Sequence, residues 1–187
     1  MRLGVRRLSF AALAILLPAL SYAGQSEAGP IDLPCGDPLP ALRNGLFHLW
    51  FGPARLLDGK GCLKLLPESP GCDWRVELTR AEKWGPADQL LLVIVNANHE
   101  TGSGATDSVL LYACERGTFV PVFSRRYLYG ATIAMGQNSD LWITSGVWRP
   151  ADPQCCPSRE RREHYRWDKA KRRVALAGTR VKNAHPM

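Results

Sequence analysis

Six cysteines, four histidines and one loop of amides and carboxylates are the residues here that could do chemistry, and their spacing decides what is open to them. His99-Glu100 begins as a zinc-protease helix would, but Thr101, Gly102 and Ser103 follow. No second histidine stands four residues on, and the glycine opposes a helix. Around it, Asn96, Asn98, Glu100, Thr101, Ser103 and Asp107 are oxygen donors of the kind calcium takes. Their spacing fits no calcium loop, so a polar surface loop is expected over 96–107. A serine nucleophile sits in a sharp turn, often Gly-x-Ser-x-Gly, and neither Ser103 nor Ser145 has glycine at both flanking positions. His48, His99, His164 and His185 remain as bases with no nucleophile assigned to them. The reading is therefore no catalytic residue, no metal site and no cofactor; a secreted hydrolase with an unrecognised site is the alternative.

The cysteines take their meaning from the start of the chain. Arg2, Arg6 and Arg7 precede an apolar run from Leu8 to Leu20, and Ser21-Tyr22-Ala23 ends it with small residues where a signal peptidase reads. The run is too short to span a bilayer comfortably, and Gly- and Pro-rich sequence follows it. Residues 1–23 read as a cleaved signal peptide, which implies export to the periplasm or medium, with no transmembrane segment in the mature form. Cys35, Cys62, Cys72, Cys114, Cys155 and Cys156 all lie beyond it, and an even count in an exported chain points to disulfides before metal. Cys62 and Cys72 flank Pro67, Pro70 and Gly71 and are expected to bridge locally. Cys155 and Cys156 are adjacent, so their side chains diverge on an extended chain; one is expected to reach Cys114 and the other a different partner such as Cys35. A vicinal disulfide or a redox-active pair is the competing reading.

Charge is uneven. From Pro157 to Met187 there are ten Lys/Arg against Glu160, Glu163 and Asp168, a local +7, whereas residues 24–156 hold eleven basic and fourteen acidic side chains. A basic face suits an envelope protein, a glycan or an anionic surface, and no nucleic-acid motif accompanies it, so nucleic acid is not expected. Most of the six tryptophans fall in apolar strand patterns and read as core. Trp148 differs, standing beside Arg149-Pro150 near the Cys155-Cys156 loop. Trp148, Arg149, Arg161, Arg162 and Arg166 form the candidate binding surface.

The elements that must position these residues are strands. Residues 24–40 carry Pro30, Pro34, Pro38 and Pro40 and read as an extended lead-in. Residues 41–180 read as one β-rich domain and 181–187 as a flexible tail. Leu46–Phe51 is bracketed at strand length by glycines, and Asp58-Gly59 marks a hairpin between Ala54–Leu57 and Cys62–Leu66. Trp74, Val76 and Leu78 alternate with polar residues, although Arg75–Trp84 also admits a short helix, as do the residues before Trp50. Leu90–Val95 is uniformly apolar, as in a strand covered on both faces. Ser108–Ala113 and Thr118–Phe123, Ala131–Met135 and Asp140–Trp148, and Arg162–Trp167 and Arg173–Leu176 read as successive hairpins. The fold class is mainly β, a single antiparallel domain built as a sandwich, partial barrel or curved meander, with α+β as the alternative.

The second half carries a recognisable order: an apolar strand, a Gly-Ser-Gly loop, Val109-Leu110-Leu111-Tyr112, a Gly117/Phe119 turn, Tyr129-Gly130, and Tyr165-Arg166-Trp167-Asp168. Over residues 88–170 this resembles the LppP/LprE-type exported bacterial lipoproteins. Asp152-Pro153-Gln154-Cys155-Cys156-Pro157-Ser158 is similar to a motif of exported bacterial proteins of unassigned role. The resemblance implies an envelope protein and no reaction; the acylated cysteine of a lipoprotein is missing.

Overall fold

The computed structural model describes residues 33–49, 52–64, 68, 70–84, 89–100, 104–136, 140–153 and 156–184. The expected signal peptide and the 24–32 part of the lead-in lie outside them. One short helix, α1 (Leu39–Arg43), precedes ten strands: β1 (Leu46–Leu49), β2 (Gly52–Leu57), β3 (Lys60–Leu63), β4 (Trp74–Trp84), β5 (Leu90–His99), β6 (Ala105–Glu115), β7 (Thr118–Met135), β8 (Asp140–Val147), β9 (Arg159–Asp168) and β10 (Arg173–Asn183). They form one sheet in the order β1 to β10, each paired antiparallel with its neighbour in sequence. The class is mainly β, an open meander not closed into a barrel; β1 and β10 are its edges.

Every connection being local, turn chemistry does much of the work. Asp58-Gly59 and Arg116-Gly117 both take positive φ at two successive residues, at 50° and 81° and at 52° and 87°, the backbone that joins twisted strands through two residues. The core then follows from alternation on β5 and β6. Leu91, Val93, Val95 and Ala97 with Leu110 and Tyr112 face a first cluster, closed by Leu33, Leu42, Phe47, Leu56, Leu63 and Val76. Leu90, Leu92, Ile94, Val109, Leu111 and Ala113 face a second, closed by Leu128, Leu141, Ile143 and Tyr165. The two halves of the meander thus cover opposite faces of β5 and β6, which is why Leu90–Val95 is apolar without interruption.

Several expectations change. Arg75–Trp84 is strand, not helix. Thr79 is an extra residue between the pairs Leu78↔Val95 and Arg80↔Ile94, and its Oγ1 donates to the Ile94 carbonyl at 3.1 Å. One inserted residue swaps the face of everything after it, so Val76 and Leu78 serve the first cluster and Trp84 the second. The helical-looking spacing is a bulge. Of the loop expected over 96–107, Asn96–His99 and Ala105–Asp107 are strand, because the Asn96 side chain bonds Asp107 across the pair at 2.9 Å and satisfies polar groups that would otherwise favour a loop. Thr118–Phe123 and Ala131–Met135 belong to one eighteen-residue strand, β7, bent at register shifts and at positive-φ Tyr127 and Gly130. β10 stays paired to β9 through Asn183, three residues into the segment read as a tail.

The bridges also differ in part. Cys62–Cys72 forms as expected, with Cα atoms 5.5 Å apart, but Cys114 pairs with Cys35, at 5.8 Å, and not with the Cys155-Cys156 loop. The reason is local: Pro34 bridges Thr118, the Cys35 N–H donates to Gly117 at 2.9 Å, and Leu33 is fully buried, which lays Cys35 beside the β6–β7 turn. Cys156 is disulfide-bonded too, and its partner is not one of those four; Cys155 lies outside the described residues.

Candidate functional site

The five residues of the candidate surface do not share one face. Arg161 and Arg162 are neighbours on β9 and therefore point to opposite sides of the sheet, and Arg166 goes with Arg162. The inner side of β8 and β9 begins as core at Leu141, Ile143 and Tyr165 and turns polar toward Ser145, Glu163 and Arg161. There a cavity of about 300 Å³ opens, lined by Arg125, Tyr127, Tyr129, Ser145, Trp148 and Arg161 among others. Tyr129 meets Trp148 edge-on at 5.4 Å and Tyr127 at 6.0 Å, an arrangement favoured by the ring quadrupoles. Arg149 stands apart from it, donating to Asn183 at 3.1 Å.

Behind the cavity lies a buried ion pair. Glu163 is 6% exposed, and Arg125 forks onto it, Nη2 to Oε1 at 2.8 Å and Nε to Oε2 at 3.1 Å. Burial lowers the Arg125 pKa, but the Glu163 hydrogen bond and charge outweigh it, so the net shift is upward and the guanidinium stays charged. Burial first, then the neighbouring Glu163 carboxylate, pushes the Tyr165 hydroxyl up to about 12 against the pull of Arg125. Arg161, half-buried at the mouth, makes no ion pair among the described residues.

The outer side of β8–β10 carries a second constellation. Trp142 and His164, directly opposed across β8 and β9, stack at 3.9 Å with 5° between planes. The Arg162 guanidinium lies over the Trp142 ring at 4.3 Å. Asp140 accepts from His164 Nε2 at 2.8 Å and from Arg166 Nε at 3.0 Å. The His164 hydrogen bond, then Arg166, holds the Asp140 carboxyl below the usual carboxylate range. A cavity of about 340 Å³ adjoins this cluster, reaching Gly178, Thr179 and Arg180. An aspartate-held histidine is half of a nucleophile-activating relay, but among the described residues no serine or cysteine lines this cavity.

Asp152 of the cysteine-loop motif closes its own loop, accepting the N–H groups of Arg149 at 2.7 Å and Ser158 at 2.8 Å. Hydrogen bonding from Ser158 first, then from Arg149, holds its carboxyl below the usual range. In the 96–107 region, Asn96 and Asn98 bond each other, Asn96 bonds Asp107, and Glu100 pairs with Arg75 at 2.6 Å. The Asn96, Asp107 and Glu100 oxygens thus meet protein donors, Thr101 and Ser103 lie outside the described residues, and among the described residues no group of three His, Cys, Asp or Glu side chains is placed to hold a metal. No helix among the described residues is long and apolar enough to cross a membrane.

Sequence reasoning named His164 only as one of four bases without a partner, and did not single out Trp142, Asp140, Arg125, Tyr129 or Glu163 as site residues. Trp142 and His164 sit at alternate positions opposite the buried Leu141, Ile143 and Tyr165, and that alternation, with β8 and β9 read as neighbours, would have placed them together. No protein family, curated protein or solved structure matches the chain.

Proposed function

We propose that this protein is an exported binding domain that takes an acidic glycan in the cleft between Trp148 and Arg161. The observation that carries the reading is Arg161: half-buried, with no ion pair among the described residues, at a mouth lined by Tyr127, Tyr129 and Trp148. A guanidinium partly withdrawn from water is costly until a carboxylate, sulfate or phosphate meets its fork. Flat aromatic rings give a sugar contact area at little cost in conformational entropy. About 300 Å³ is at the small end for ligand sites and suits a sugar unit or two of a longer chain. Export is supported by the leader-like residues 1–23, by the disulfides and by the resemblance to exported lipoproteins. The hydrolase alternative has only the Asp140–His164 pair behind it.

The test is calorimetric titration of the protein recovered from the exported fraction with a uronic-acid oligosaccharide and with its neutral counterpart. The acidic sugar should bind saturably and the neutral one should not. Arg161→Gln and Trp148→Ala should each weaken binding by roughly tenfold or more, and added salt should weaken it further. Wild-type affinity in Arg161→Gln would remove the reading.

A further inference from the structure

We propose that the cavity over the β9–β10 bulge is a second, independent binding site, for a phosphate or sulfate group carried on a larger molecule. It lies on the opposite side of the sheet from the Trp148–Arg161 cleft.

Three observations on one face converge. The first is a like-charge pair: Arg162 and Arg180 are directly opposed in the β9–β10 register, so both side chains leave the same face as close neighbours. Opposed like charges are unfavourable, and among the described residues neither arginine makes an ion pair. Their neighbours on that face are neutralised. Lys182 pairs with Glu160 at 3.1 Å on one side, and Arg166 pairs with Asp140 at 3.0 Å on the other. The missing negative charge is confined to the cavity.

The second observation is the space itself. Ala177 is an extra residue between the pairs Leu176↔Tyr165 and Gly178↔His164, and the bulge sets a residue without a side chain opposite His164. A Cβ added at Gly178 would meet no atom within 4 Å. The resulting hollow of about 340 Å³ exceeds a bare oxyanion, hence a group attached to something larger.

The third is preorganisation. The Arg162 guanidinium lies over the Trp142 ring at 4.3 Å, Trp142 stacks on His164, and His164 is held by Asp140. A cation held over a ring by its charge still has guanidinium N–H groups to offer a tetrahedral oxyanion, and among the described residues those of Arg162 have no ion-pair partner. An arginine already fixed loses little rotamer entropy on binding.

The protein from the exported fraction is titrated by calorimetry with inorganic pyrophosphate and, separately, with sulfate, at constant ionic strength. Saturable binding of either that weakens in Arg180→Gln and persists in Arg161→Gln supports the site, and the tighter of the two identifies the group it takes. Arg180→Gln, at an exposed position that leaves folding intact, should weaken binding by roughly tenfold, the loss of one charge-assisted contact. Gly178→Leu should do the same by filling the hollow while leaving every charge in place. Arg161→Gln, in the other cleft, should bind within about twofold of wild type if the site is local. The proposal is overturned by the absence of saturable binding with both anions, by wild-type affinity in Arg180→Gln, or by an equal loss in Arg161→Gln, which would mark a response to net charge or binding in the other cleft.

Discussion

Replacing Glu163 by alanine removes the acceptor of the Arg125 fork and leaves a guanidinium charge in a half-buried site. Breaking a fully buried pair from one side costs about 3–5 kcal/mol. Here the Glu163 side chain is 8% exposed, but that of Arg125 is 33% exposed, so water recovers part of the loss and about 2–3 kcal/mol is expected. For a domain of this length that is a fall in Tm of about 4–12 °C. Urea denaturation followed by far-UV circular dichroism, with the midpoint and slope read separately, measures it. The companion is the double variant Arg125→Met with Glu163→Leu, which removes both charges and refills the space with apolar side chains. It should be more stable than Glu163→Ala alone, because the penalty in the single variant is mostly the stranded arginine. A Glu163→Ala cost within about 0.5 kcal/mol, the range of ordinary surface substitutions, would refute the burial argument. So would a double variant no better than the single.

Further outcomes follow from the bridges and the titrating groups. Cys35–Cys114 spans a sequence separation of 79 and Cys62–Cys72 one of 10, so by loop entropy their paired alanine replacements should cost about 4–5 and about 2–3 kcal/mol in denaturant titrations. Asp140 and Asp152 are held below the usual carboxylate range, so their stabilisation is full above the unfolded value near pH 4 and is lost as the pH falls below it. Asp140→Asn should flatten that acid limb. Tyr165, raised to about 12, favours the folded state below about pH 10 and ceases to do so as the pH climbs toward 12. Tyrosinate absorbance should show one ring ionising late, and Tyr165→Phe should remove it.

Much of the fold could be read from the sequence because nearly every contact between strands is local. Asp58-Gly59 announced its hairpin, the apolar run at Leu90–Val95 announced a strand covered twice, and Cys62 announced Cys72. What escaped shares one cause: a change of period is invisible one strand at a time. The extra Thr79 made a strand resemble a helix, and the extra Ala177 made a hollow that no residue type advertises. The same limit hid the site. Arg161 and Arg162 look like one patch in sequence, yet alternation sends them to opposite sides, and the partners that give each its meaning come from β7, β8 and β10. The Cys35–Cys114 bridge was hidden because it depends on the lead-in docking at Thr118, a contact no local pattern encodes.

The claim that the Trp148–Arg161 cleft binds an acidic glycan is tested most directly by following the tryptophan indole N–H signals by NMR while the uronic-acid oligosaccharide is added. The account predicts that the Trp148 signal shifts and saturates while those of Trp84, in the second core cluster, and Trp142, on the opposite side, stay in place. A still Trp148 signal, or movement confined to Trp142, would contradict it.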